Sequence, residues 1–197
     1  MKRARLIVVV GALLGLSALA AKVDARANSD ARNVNQCNGP LYPLRTFSDP
    51  KRRTVRVTPR TTTIEAIGER GRPQPTPTIR KTPFQKQAWE VVASVDSYRL
   101  DHGELRLVLF DHGAYVNAAV PSPACIPANA RQRKEMMAVW TLFTTKCGHP
   151  TGDWQPLGAV AYVGGVGFWS GARSGRGIAP NGAELHPVTD FRPVAGC

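Results

Sequence analysis

Acidic residues are scarce in this 197-residue chain: 14 Asp and Glu stand against 26 Lys and Arg, a formal net charge of +12. No C-x2-C pair occurs, which removes the usual framework of a structural zinc site. No G-x-S-x-G elbow occurs either, so the common signature of a serine hydrolase is missing. Neither an internal repeat nor a cofactor motif is visible. Beyond residue 21 no apolar run approaches the roughly 20 residues that a spanning helix needs. The reading is therefore of a chain without a transmembrane segment, once its first residues are accounted for.

Those first residues are "MKRARLIVVVGALLGLSALAAKVDARANSD". Lys2, Arg3 and Arg5 precede an uncharged apolar run from Leu6 to Ala21, and two A-x-A sites follow, the pattern of a cleaved secretory signal peptide. Residues 1–27 are assigned to it, and the mature protein is expected to be secreted, in the periplasm or outside the cell.

The positive charge is unevenly placed. Residues 1–50 carry seven Lys/Arg against three Asp/Glu, residues 51–86 ten against two, and residues 87–197 nine of each. The C-terminal part is neutral and lacks the field on which backbone binding of nucleic acid depends, so no specific nucleic-acid recognition is expected. The excess sits in residues 28–86, a polar stretch containing "RPQPTPTIRKTP". Alternating prolines favour an extended, polyproline-like chain, and this region reads as a basic, proline-rich arm with little core of its own. Within it "TTTIEAIGER" reads either as linker or as a short helix capped by Thr61–Thr63, with Glu65 in its first turn.

From Trp89 the texture changes. "WEVVASVDSY" and "ELRLVLFD" alternate as strands do, with Leu105, Leu107 and Leu109 on one face of the second. His102-Gly103 turns the chain between them and Asp111-His112-Gly113 leads into a third strand, "AYVNAAVPSP". "NARQRKEMMAVWTLF" places Met136, Val139, Trp140 and Phe143 on one helical face. "QPLGAVAYVGGVGFWS" follows as a glycine-bent strand, and "ELHPVTDFRP" closes the chain. Three strands, one helix and two strands match the five-stranded, OB-like Greek-key barrel. The expected fold is thus mainly β with one helix, a barrel over residues 87–197 and an extended arm over 28–86.

Four cysteines, Cys37, Cys125, Cys147 and Cys197, form an even set, which in an oxidising compartment reads as two disulfides. A helix from about Asn129 to Thr144 holds its ends on the order of 24 Å apart, and bridged Cα atoms lie within about 7 Å. Joining Cys125 to Cys147 across that helix is awkward, so Cys37–Cys125 with Cys147–Cys197 is preferred, and Cys125–Cys147 with Cys37–Cys197 is the alternative.

"CNGPLYPLRTFSDP", "TPRTTTIEAIGERGRP", "WEVVASVDSYRLDHGELRLVL" and "VGGVGFWS…GIAPNGAELHPVTDF" together resemble a group of uncharacterised secreted bacterial proteins that share a closing Ala-Pro-Asn-Gly-x-Glu-Leu-His-Pro-Val motif. The resemblance runs from about Cys37 to Phe191 and is most specific over Ala179–Val188. It implies a secreted domain whose N-terminal extension belongs to the unit, and it implies no activity. Members commonly carry His-Gly-Gln ahead of the motif, where this chain has Arg173-Ser174-Gly175.

Candidate chemistry centres on that motif. Glu184 and His186 sit two apart on a strand and project from one face, as an acid orienting an imidazole would. One reading makes them a structural latch on the "GIAPNGA" loop; the other makes them the centre of a hydrolase, phosphodiesterase- or nuclease-like. The candidate ligand surface is the Arg173–Asn181 loop, with Arg173, Arg176, Asn181, Glu184 and His186 as its residues, and Tyr98 and Tyr115 as aromatic faces nearby. A non-enzymatic binding module is favoured, with no metal or cofactor, in which the arm helps engage an anionic polymer or envelope surface.

Overall fold

Two Asp-His-Gly triplets set the frame. His102 and His112 hold φ at 50° and 45°, and the glycines after them, Gly103 and Gly113, at 73° and 84°. Two successive left-handed residues make a turn whose twist matches antiparallel strands. They join β2 (Gln87–Asp101), β3 (Glu104–Asp111) and β4 (Ala114–Pro121) into a meander. The computed structural model describes residues 37, 38 and 41–197, Arg173 excepted. The expected signal peptide, residues 1–27, lies outside the described residues.

The remaining elements, in chain order, are helix α1 (Tyr42–Arg45), strand β1 (Arg56–Thr61), helix α2 (Ile64–Gly68), helix α3 (Arg133–Lys146), and strands β5 (Gln155–Trp169) and β6 (Ala183–Ala195). The six strands form one mixed sheet in the order β1-β2-β3-β4-β6-β5, and β2 also pairs with β5. The protein is mainly β. Both β2 and β5 are 15 residues long, which lets β2 hydrogen-bond to β5 along its length and to β3 over its second half. Irregularities at Val95/Ser97 in β2 and at Gly164/Gly165 and Gly165/Gly167 in β5 supply the bending. The pairing of β4 with β6 is parallel, at Asn117↔Glu184 and Ala118↔Leu185.

The principal core lies inside this arrangement, where Val91, Val95, Leu105, Leu107, Leu109, Val163 and Leu185 are all fully buried. Helix α3 packs against β6 and β4, with Met136, Val139 and Phe143 buried. It starts four residues later than the hydrophobic pattern suggests. Gln132 adopts φ 54°, and the amide of Arg131 is drawn off to the carbonyl of Phe47. The cysteines pair as Cys37–Cys125 and Cys147–Cys197, with Cα separations of 5.0 and 4.3 Å, the scheme that the helix length favours.

The arm departs from the sequence expectation. It holds two short helices and a strand, and it buries Leu44, Phe47, Val55, Ile64, Ile67 and Phe84. Among the described residues there are six strands and three α-helices where five strands and one helix are expected, because β1 adds itself in parallel to β2 and α1 and α2 form within the arm. α2 has the anticipated cap: Thr63 Oγ1 accepts from the amide of Ala66 at 3.1 Å. What consolidates the arm is ionic as well as apolar. Arg80, fully buried, donates from Nε to Asp49 at 2.9 Å, from Nη2 to the Leu44 carbonyl at 2.8 Å and from Nη1 to the Gln85 carbonyl at 3.3 Å.

Candidate functional site

Glu104-Leu105-Arg106 and Glu184-Leu185-His186 are two copies of one pattern, an acid and a base flanking a leucine. On a strand the leucine of each enters the core and its neighbours face the other way. β4 separates the two strands, and at that level it presents Ala119, opposite Arg106, whose small side chain lets the charged groups meet across it. Glu104, Glu184 and His186 are 3%, 3% and 0% exposed. His186 Nε2 donates to Glu104 Oε1 at 3.1 Å, while its Nδ1 stands 3.6 Å from Glu184 Oε2 without a hydrogen bond. Arg106 donates to Glu184 at 3.3 Å and approaches Asp101 at 3.5 Å; Arg45, from α1, pairs with Glu104.

The electrostatics follow from that geometry. Burial alone would raise the Glu184 carboxyl, but the Arg106 charge and the His186 ring outweigh it and bring it down to about 2. Glu104 is also held low: burial opposes, and His186, Arg45 and Arg106 prevail. Arg106, correspondingly, is held above the ordinary arginine value, the acids around it overcoming the effect of burial. Both carboxylates are locked in the ionised form, which suits a brace and not a proton donor working near neutral pH.

Of the five residues expected to form the ligand surface, the four described ones do not all converge. Arg173 lies outside the described residues. Arg176 is exposed, pairs with Asp96 at 3.1 Å and rides over Trp154 at 5.6 Å. Asn181 is buried and donates to the carbonyls of Ile67 and Arg70 at 2.7 and 2.9 Å, so it caps the end of α2. Only Glu184 and His186 come together, and their latch joins β6 to β3 rather than to the loop. A cavity of about 200 Å3 between Arg45, Arg106, Phe168, Ser170, Ile178 and Glu184 touches this network from outside. Of the two aromatic candidates, Tyr98 is buried edge-on against Phe143 and Tyr115 stays exposed.

A larger recess lies on the opposite character of surface. About 580 Å3 in volume, it runs between β1 and the turn before β2, and Arg56, Arg60, Arg70, Lys81 and Lys86 line it together with Trp89. No carboxylate lines it, and none of the five cations forms an ion pair among the described residues. Arg70 lies over the Trp89 ring, 4.1 Å from its centroid, and burial lowers its affinity for the proton. The charge excess of residues 51–86 pointed at this region; the recess itself is created by β1 docking on β2, which no local pattern announced. Among the described residues no group of three or more His, Cys, Asp or Glu is placed to hold a metal ion, and no helix is long and apolar enough to cross a membrane.

No protein-family model matches the sequence, and no curated protein does. Among solved structures, one chain named as an aspartyl-tRNA synthetase from Leishmania major Friedlin is similar at a TM-score of 0.43 and 14% identity, over 73% of this chain. The match spans 22% of that chain's own length.

Proposed function

We propose that this chain is a secreted, non-enzymatic binding module of the periplasm or cell envelope, and that it engages an anionic polymer or an anionic envelope surface. Its architecture on this reading is a five-stranded OB-like Greek-key barrel with the basic arm laid over it, which the circuit of pairings β2-β3-β4-β6-β5 and back to β2 supports. Two disulfides and a signal-like N-terminus support an oxidising compartment. So does the resemblance of the Ala179–Val188 motif to secreted bacterial proteins. The observation that carries the function is the recess holding five cations and no acid. Like charges gathered in a concave wall raise the local concentration of counter-ions, and the folded chain gains nothing from leaving them unpaired.

Binding of a linear polyanion should weaken with salt. By the behaviour of single-stranded nucleic acid, each engaged cation contributes a slope of about −0.7 to log K against log[salt], so five give about −3.5. A titration by fluorescence anisotropy with inorganic polyphosphate between 50 and 300 mM salt, in round terms, measures it. A flat profile, or no binding at the low-salt end, removes the reading.

The alternative, a hydrolase centred on Glu184 and His186, has less support. Neither ring nitrogen of His186 is hydrogen-bonded to a Ser, Thr or Cys, and the ring is sealed from solvent against Phe168. Replacing His186 by glutamine discriminates the two. As a brace, it should lose about 1.5–3 kcal/mol of stability in urea titration, the worth of a hydrogen bond to a charged group, with polyanion affinity unchanged. Phosphodiester turnover in the parent that vanishes in the variant would favour the hydrolase instead.

A further inference from the structure

The five cations of the recess are not equivalent. Arg56, Arg60, Lys81 and Lys86 are exposed, whereas Arg70 is half-buried and its guanidinium lies over the Trp89 ring. Trp89 beneath it is fixed by a hydrogen bond from Nε1 to the Phe84 carbonyl at 3.1 Å. Phe84, 5.3 Å below the same guanidinium, is fixed in turn by Gly167, where a Cβ would stand 2.2 Å from the Phe84 oxygen. Trp169 packs against Phe84 at 5.0 Å and is tied to Thr82 Oγ1 at 3.0 Å. The Arg70 Nε is shielded from water and makes no hydrogen bond among the described residues. A guanidinium so held has its planar donor edge oriented before any ligand arrives, and loses little freedom on binding an oxyanion.

Charge density then narrows the ligand. Five cations in about 580 Å3 call for several negative charges in the space of a few sugar rings. A uronate polymer supplies one per ring, and a nucleic acid one per nucleotide. A condensed phosphate chain supplies about one per phosphorus, with non-bridging oxygens that match the guanidinium fork. Arg56 and Arg60, four residues apart on an edge strand, extend the basic wall by up to about 13 Å, which suits a chain lying lengthwise. An aromatic face for a base is lacking, because Arg70 occupies that of Trp89.

Resting on the binding reading above, we propose that the recess takes a condensed phosphate chain and that Arg70 seats one of its phosphoryl groups. The chain has two chemical sources, free polyphosphate and the polyphosphate tail of a nucleotide. Affinities of the purified protein are measured for tripolyphosphate, long-chain polyphosphate, adenosine triphosphate, polygalacturonate and oligo-thymidylate, at equal anionic charge and one salt concentration. The expected order puts the condensed phosphates about tenfold or more ahead of the uronate and the oligonucleotide. Adenosine triphosphate should bind no tighter than tripolyphosphate, which assigns recognition to the tail; a tighter nucleotide means a base is read and overturns the free-chain assignment.

Arg70→Lys keeps the charge and should weaken long-chain polyphosphate about tenfold, against about twofold for Arg56→Lys. Trp89→Leu should lose the same preference by freeing Arg70, and Trp89→Phe should keep much of it; melting midpoints within a few degrees of the parent confirm that each variant is folded. Equal losses for Arg70→Lys and Arg56→Lys, or equal affinity for uronate and phosphate, overturn the inference while the binding reading stands. Failure of every polyanion to bind overturns both.

Discussion

Asp49→Ala is expected to destabilise the protein by about 3–5 kcal/mol, the cost of stripping a buried charge of its partner. The carboxylate is nearly inaccessible and accepts from Arg80 Nε at 2.9 Å and from the Lys51 amide at 3.0 Å. Arg80 is wholly buried, and its guanidinium lies 4.8 Å from the Phe47 ring centroid, with the guanidinium of Arg131 at 5.6 Å from the same ring. Burial depresses the Arg80 proton affinity and the Asp49 charge restores part of it. With Asp49 gone, the like charge of Arg131 acts without opposition. For a chain of this size the loss corresponds to a fall in melting temperature on the order of 10 °C. Asp49→Ala with Arg80→Met should recover part of it, because the pair is removed together and not one side at a time. A single-mutant cost below about 1 kcal/mol would mean that Arg80 reaches water, and that the arm is not closed on the sheet.

That ion pair also explains why the arm was the least legible part of the sequence. Leu44, Phe47, Val55, Ile64, Ile67 and Phe84 are its buried apolar residues, and no period of 2 or 3.6 runs through them. Arg80 and Arg131 consolidate the arm by donating to the carbonyls of Leu44, Gln85, Arg52 and Val55. Long-range bonds from side chain to main chain leave no local signature. The strands of residues 87–197 are different. Leu105, Leu107 and Leu109 alternate, and each Asp-His-Gly triplet supplies its left-handed pair of residues, so the meander follows from short-range rules. The disulfide scheme was accessible because a rigid helix is a ruler.

The candidate site was half legible. Glu184 and His186 were picked out by their spacing, but Glu104, which accepts from His186, was read only as part of a strand. The recurrence of Glu-Leu-base at the start of two strands was the available signal. Arg176 and Asn181 were chosen for lying in a Gly-rich loop. One proved to be a surface ion pair and the other a helix cap, which are the ordinary employments of such residues.

Acid should reveal the Glu184 brace directly. Its carboxyl titrates at about 2 in the folded chain, against 4.5 for an unperturbed glutamate. The stability linked to that difference is therefore complete above about pH 5 and drains away as pH falls through 4.5 toward 2; it amounts to about 3 kcal/mol. Glu104 and Asp101, both held below their ordinary values, add to the loss in the same direction. Urea midpoints measured from pH 7 to pH 2 should fall more steeply in the parent than in Glu184→Gln. The variant starts weaker at neutral pH, because Arg106 has lost its first partner, and the two curves should converge in acid. Parallel curves would sink the assignment. Because the network faces away from the principal core and Arg45 of α1 pairs with Glu104, the first consequence of acidification should be release of the Tyr42–Arg45 segment from β3. Hydrogen exchange should report it as early loss of protection at Thr46 and Ser48, whose amides bond only within that segment, while β2 and β5 remain protected.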